Sequence, residues 1–253
     1  MHKPIVFLTT PTSGTGSLWR IITALTRATH KPLKVVDTYA NRNRMAEIAD
    51  WRPSDPATVY LFNAPAVWPK DLDLRTVRLI CNFRDPRDLC CNHYYWALQH
   101  HVRNKSDEAV AAHRRAVEKK GIDAFVLGVD KSDHYRPFAD VLHKIDSDGG
   151  EDVCVLSYNQ LCLSIDAMAE RLAGFLGVVD AAHVARAIEP ERVENLSANP
   201  RWIGQEWFGS DIAPGRHRRE LKPETIAQLT RTYAGILGLL RALDQPQFRD
   251  LYD

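Results

Sequence analysis

Five short apolar runs rich in β-branched residues recur along this chain: IVFLTT (5–10), LKVV (33–36), TVYLFN (58–63), VRLICNF (77–83) and VCVLS (153–157). Their near-continuous apolarity, in place of an in–out alternation, predicts that several are strands buried on both faces, as in a parallel sheet. Between them the pattern predicts helices at 17–29, 42–50, 86–101, 106–119 and 166–177. Ile226, Leu229, Tyr233, Ile236, Leu237 and Leu240 then predict one apolar stripe of a helix opened by Pro223-Glu224. Such alternation implies an α/β fold with three layers, a central parallel β-sheet between helices, and ligands at the carboxyl ends of the strands. At 253 residues the chain suits a single domain, 1–253. The polar stretch 102–150 carries His113, Arg114, Arg115, Lys119 and Lys120 and reads as a helical insertion. Its charge run is either a lid over the site or a solvated helix face.

Charge and cysteine usage exclude several classes. Lys+Arg 33 against Asp+Glu 32 leaves a net charge of +1, so no global field draws nucleic acid or an anionic membrane. Any anion site must be built locally. No apolar run approaches the roughly 20 residues of a membrane span, and MHKPIVFLTT is too short and too β-branched for a signal core. Five cysteines, two of them vicinal (Cys90, Cys91) and none in a Cys-x-x-Cys pair, fit reduced thiols; the scattered histidines offer no zinc spacing. A cytoplasmic protein without a metal is expected.

The segment TTPTSGTGSLW (9–19) joins the first strand to the first helix. Successive backbone N–H groups in such a turn converge on an anion, and the helix adds its positive end. Gly14 and Gly16 permit close approach, while Ser13, Thr15 and Ser17 add hydroxyl donors. The alternative is a plain strand–turn–helix with Ser17 as N-cap. A second segment, RLICNFRDPRDLCCNHYYW (78–96), ends a strand at Arg84 and opens a helix with Asp85 as N-cap and Pro86 as first residue. Arg84 at a strand's carboxyl end can clamp a phosphate, or pair with Asp85 or Asp88; Asn92 lies two turns into the helix.

Together these segments resemble the sulfotransferases that use 3′-phosphoadenosine 5′-phosphosulfate (PAPS). A P-x-S-G-T loop and R-D-P-R-D with an aromatic YYW are followed in family order by VCVLSYNQLCLSIDAMAERLAGFLGV (153–178). ENLSANPRW and PGRHRRELKPE (214–224) complete the series. The resemblance implies the P-loop nucleotide-binding-like sulfotransferase fold and transfer of a sulfuryl group from PAPS to a hydroxyl or amine, releasing 3′,5′-adenosine bisphosphate (PAP), with no metal required. It implies that Thr12, Ser13, Gly14, Thr15, Gly16 and Ser17 hold the 5′-phosphosulfate, that Arg84, Asn92 and Arg216 hold the 3′-phosphate, with Arg218 and Arg219 behind, and that Tyr158 lies near the adenine. Two positions depart from the family. Thr12 stands where a Lys or Arg usually meets the departing charge, and Asn63 where a His usually acts as base. Asp37 is the nearest replacement base, with Glu47 and His93 as further candidates; Arg20 or an arginine from 214–219 could meet the departing charge. Asp37 could equally be a strand-end turn, and His93 a residue packed among Tyr94, Tyr95 and Trp96. A small molecule or a glycan would be the acceptor, facing aromatics such as Trp51, Trp68, Trp96, Trp202, Trp207 and Phe208. The alternative is a PAPS- or PAP-binding protein of the same fold that does not transfer. The sequence sets neither the acceptor nor an oligomeric state.

Overall fold

All five apolar runs are strands. The computed structural model describes residues 3–36, 51–99, 106–198 and 212–253. Strands β1 (Ile5–Thr9), β2 (Lys31–Val36), β3 (Thr58–Phe62), β4 (Arg78–Phe83) and β5 (Val153–Ser157) form an all-parallel sheet in the order β2-β3-β1-β4-β5. Helix α1 (Thr15–Thr26) follows β1; α2 (Pro86–Gln99), α3 (Asp107–Leu127) and α4 (Arg136–Asp148) connect β4 to β5. After β5 come α5 (Tyr158–Leu163), α6 (Ile165–Leu176) and α7 (Ala181–Ile188), and near the end α8 (Arg216–Glu220), α9 (Pro223–Thr232) and α10 (Ala234–Leu243). The helix expected at 42–50 lies outside the described residues.

Successive side chains of a strand point to opposite faces, which explains the unbroken apolarity. Val6, Leu8, Tyr60, Phe62, Leu79 and Cys81 pack on one face against residues of α2, α4, α9 and α10. Ile5, Phe7, Val59, Leu61, Ile80 and Leu156 pack on the other against α1, α6 and α7. The exception is β2, an edge strand whose Leu33 is exposed between Lys31 and Lys34. Lysines there discourage pairing with another chain.

Three boundaries depart from expectation. Helix α1 starts at Thr15 with Gly14 as N-cap in the left-handed region (φ 77°), so Ser17 is not the cap. The helix expected from 106 continues to Leu127, with a break at Gly121 (φ 71°, ψ 161°) that only glycine adopts readily. The last apolar stripe is split between α9 and α10, because Tyr233 leaves the helical region (ψ 14°) while its buried hydroxyl bonds Val129 O at 3.1 Å. Of the stretch 102–150, the described residues carry α3 and α4, and His113, Arg115, Lys119 and Lys120 are exposed on α3.

β1 pairs with β3 on one side and β4 on the other, so the segments leaving β1 and β4 start side by side at the carboxyl end of the sheet. Ligands of open parallel sheets bind at such a point.

Candidate nucleotide site

The loop leaving β1 is held from inside by β4. Asn82, fully buried and paired in register with Thr9, donates its amide to Ser13 O and Ser13 Oγ (both 2.8 Å) and Thr9 Oγ1 (3.1 Å). A carbonyl only accepts, so the amide nitrogen must be the atom facing Ser13. Thr9 Oγ1 lies 3.0 Å from both Ser13 Oγ and Thr15 Oγ1, and the Ser13 and Thr15 hydroxyls donate to Thr10 O. Both hydroxyls therefore brace the loop from within, which differs from the expected role of donors to an anion. No side chain caps α1, so its first N–H groups are left for an external acceptor. Gly14 is required twice, by its positive φ and because a Cβ there would lie 2.2 Å from Leu161 Cδ2. Thr12, exposed, holds φ 58°, a strained conformation for a β-branched residue.

Beside this loop stands Arg84. Its Nη1 donates to Thr12 O at 3.2 Å, and its guanidinium lies 3.9 Å over the Tyr158 ring. Arg84 is 4% exposed, yet Nε and Nη2 have no hydrogen-bond partner. The nearest carboxylate, Asp88 Oδ2, is 3.9 Å from Nε. Asp85 is taken instead by Arg87, whose Nη2 reaches it at 2.7 Å, and Asp85 also caps α2 by accepting from Arg87 N at 2.8 Å. Tyr158, whose ring carries Arg84, donates its hydroxyl to Ile212 O at 2.6 Å.

Asp88 turns to the basic segment after residue 213. It accepts from Gly215 N (2.9 Å), His217 N (3.0 Å) and His217 Nδ1 (2.6 Å). Burial alone would push its carboxyl up, but the His217 hydrogen bond and the Arg84 charge hold it well below the usual carboxylate range. Between those two anchored residues sits Arg216, 3% exposed, 4.1 Å over the Tyr95 ring and bonded to Glu220 at 2.6 Å. Asp88, Asn92 and Tyr95 recur on one face of α2, and Asn92 is buried there. Arg218 and Arg219 are exposed and bond main-chain carbonyls, Arg218 reaching Asp253 O at 2.9 Å and Arg219 reaching Ala213 O at 3.0 Å.

The residues expected to serve chemistry are more scattered. Asp37 and Glu47 lie outside the described residues, as do Trp202, Trp207 and Phe208. Asn63 follows β3 directly, with its Oδ1 buried and without a hydrogen-bond partner. His93 packs edge-on against Trp96 and Phe125, and burial first, then Lys131 and His134, push it down to about 4. Trp51, Phe62 and Trp68 form an aromatic cluster beside Asn63. Arg20 reaches Ser17 Oγ at 3.3 Å but is held at 2.6 Å by both oxygens of buried Glu191. Asn82, Asp88, His217 and Glu191 were not singled out from the sequence, apart from Asp88 as a possible partner of Arg84. The one available signal was a polar residue, Asn82, inside an apolar strand.

No protein-family model matches the sequence, and no curated protein matches it. Solved structures do. Mouse sulfotransferase SULT7A1 complexed with PAP superposes with a TM-score of 0.58 at 14% identity, covering 99% of this chain and 88% of its own. Retinol dehydratase in complex with retinol and PAP gives 0.57 at 15% identity, covering 96% and 82%. The chain has the sulfotransferase fold. Retinol dehydratase with androsterone and inactive cofactor PAP also matches, at 0.57 and 15%, covering 95% and 82%. Within the sulfotransferase fold of this chain, the loop after β1 and the buried arginine after β4 are adjacent at the sheet's switch point. Among the described residues no helix is long and apolar enough to cross a membrane, and no group of three or more potential ligands could hold a metal.

Proposed function

We propose that this protein is a PAPS-dependent sulfotransferase acting on a hydroxyl or amine of a small-molecule or glycan acceptor in the cytoplasm. The observation that carries the reading is Arg84, a buried guanidinium at a strand end with two unpartnered nitrogens beside an uncapped helix N-terminus. Buried donors of this kind are satisfied by a ligand, and a doubly phosphorylated nucleotide needs two such pockets. The backbone N–H groups of 13–17 would hold the 5′-phosphosulfate; Arg84, Asn92 and Arg216 would hold the 3′-phosphate, with Tyr158 near the adenine. When bound, PAPS supplies the sulfuryl group and leaves as PAP.

The chain's part is positioning and electrostatics. The acceptor oxygen or nitrogen bonds to sulfur as the sulfur–oxygen bond to the phosphate breaks, and its proton goes to a base, for which Asp37 is the proposed residue. Negative charge on the leaving phosphate is met by the uncapped N–H groups that open α1. The helical insertion α3–α4 is the proposed wall over the acceptor side.

One observation favours the second reading, a PAP-binding protein without transfer. Arg20, the other described cation beside the loop, is occupied by Glu191. Calorimetry with PAP and a radiolabelled-PAPS transfer assay test the first reading; absence of PAP binding ends both. Thr12→Lys separates them. Under the first reading, restoring a cation at the leaving group raises kcat by on the order of tenfold or more without tightening PAP comparably. A variant that binds PAP and still turns over no acceptor supports the second.

A further inference from the structure

Asp88 is an anion placed where an anion should harm. It lies 3.9 Å from Arg84 and grips the segment carrying Arg216, the two cations assigned to a 3′-phosphate. A carboxylate there lowers the local positive potential and, by charge alone, weakens phosphate binding. Its geometry explains why it is nevertheless present. The carboxylate is 1% exposed and accepts three hydrogen bonds, all from Gly215 and His217, the residues on either side of Arg216. Gly215 takes the left-handed conformation there (φ 76°), reversing the chain into α8. Arg216 is thereby held over Tyr95, itself on α2, two turns from Asp88.

Resting on the PAPS reading, we propose that Asp88 is the positioning residue that assembles the 3′-phosphate end of the site and makes the protein select 3′-phosphorylated adenine nucleotides over 5′-phosphates alone. It fixes Arg84 from one side and the Arg216 segment from the other, so both cations are in place before ligand arrives. Preorganisation of this kind raises affinity by removing an ordering cost at binding. The hydrogen bonds Asp88 accepts come from Gly215 and His217, at the end that carries Arg216, so its contribution falls chiefly on that end of the nucleotide.

The test compares PAP with adenosine 5′-phosphate (AMP) by calorimetry on the full chain, wild type against Asp88→Asn. Positioning predicts that PAP weakens on the order of tenfold to a hundredfold, the worth of hydrogen bonds to a charged group, while AMP is unchanged. Charge compensation alone predicts the opposite sign, a tighter PAP complex, and that result overturns the proposal. Equal loss for both nucleotides also overturns it. AMP binding reports that the variant is folded; should Asp88→Asn not fold, His217→Ala, which removes one of the three hydrogen bonds, must lower the PAP-to-AMP preference in the same direction, and an unchanged preference overturns the role. Wild-type protein that binds neither nucleotide instead removes the PAPS reading beneath it.

Discussion

The two ends of the candidate nucleotide site are built from opposite chemistries. At the proposed 5′ end the groups are neutral: Asn82 and the hydroxyls of Thr9, Ser13 and Thr15 brace the loop from within, and no side chain caps the N–H groups that open α1. At the proposed 3′ end stand ionised side chains with at most 4% exposure, Arg84, Asp88 and Arg216. Backbone donors cannot be mutated away, but their direction depends on the loop's internal bracing. Buried charges bind strongly, but each leaves an uncompensated partner when removed. Damage to the first end should therefore spread over both nucleotides and stability, and damage to the second should be selective.

Arg84→Ala is the sharpest way to test that contrast. It removes the guanidinium over Tyr158 and leaves Asp88 without its cation. PAP affinity should fall at least about thirtyfold, the scale for breaking a buried charge pair, and AMP affinity much less. Calorimetry of both nucleotides checks it; an equal loss for both would mean that Arg84 serves the 5′ end through Thr12 O.

Asn82→Ala probes the other end. Three acceptors, Thr9 Oγ1, Ser13 O and Ser13 Oγ, lose a donor in a fully buried setting. Stability should fall by about 1–3 kcal/mol. PAP and AMP should weaken by the same factor, because the α1 N–H groups are common to both. Urea unfolding and the pair of calorimetric titrations measure the two effects. A selective loss of PAP would erase the distinction between the ends.

The contrast was only half legible in the sequence. The strands could be read because burial on both faces leaves an unbroken apolar run, and the start of α2 because Asp85-Pro86 is a local capping signal. The candidate residues Arg84, Asn92 and Arg216 could be named because the resemblance to the sulfotransferases maps them onto that family's motifs, Arg84 also because it follows a strand. How those residues are held could not. Asp88 and His217 are 129 residues apart, and Arg20 and Glu191 are 171 apart. Periodicity reports neighbours along one element and says nothing of pairs that the sheet topology brings together. The loop shows the other limit. A string of Ser, Thr and Gly announces donors, yet it takes Asn82 on a neighbouring strand to turn the Ser13 hydroxyl inward, and Gly14, with Leu161 against it, displaces Ser17 as the cap.

The smallest effect is one of pH, and it follows from which end titrates. Asp88 is held below its ordinary value of 3.8 in the folded protein, so it contributes stability that is fully present above that value and is lost as pH falls toward the folded one. Asn82, Thr9, Ser13 and Thr15 do not titrate in this range. As the Asp88 carboxylate takes up a proton, the stability deficit of Asp88→Asn relative to wild type should thus shrink below about pH 4, whereas that of Asn82→Ala should stay level over the same range. Thermal unfolding of the three proteins from pH 7 down to the lowest pH at which wild type remains folded gives both curves. Two parallel curves would mean that His217 and Arg84 do not hold the Asp88 carboxylate ionised, and the 3′ end would then be no more electrostatic in construction than the loop across from it.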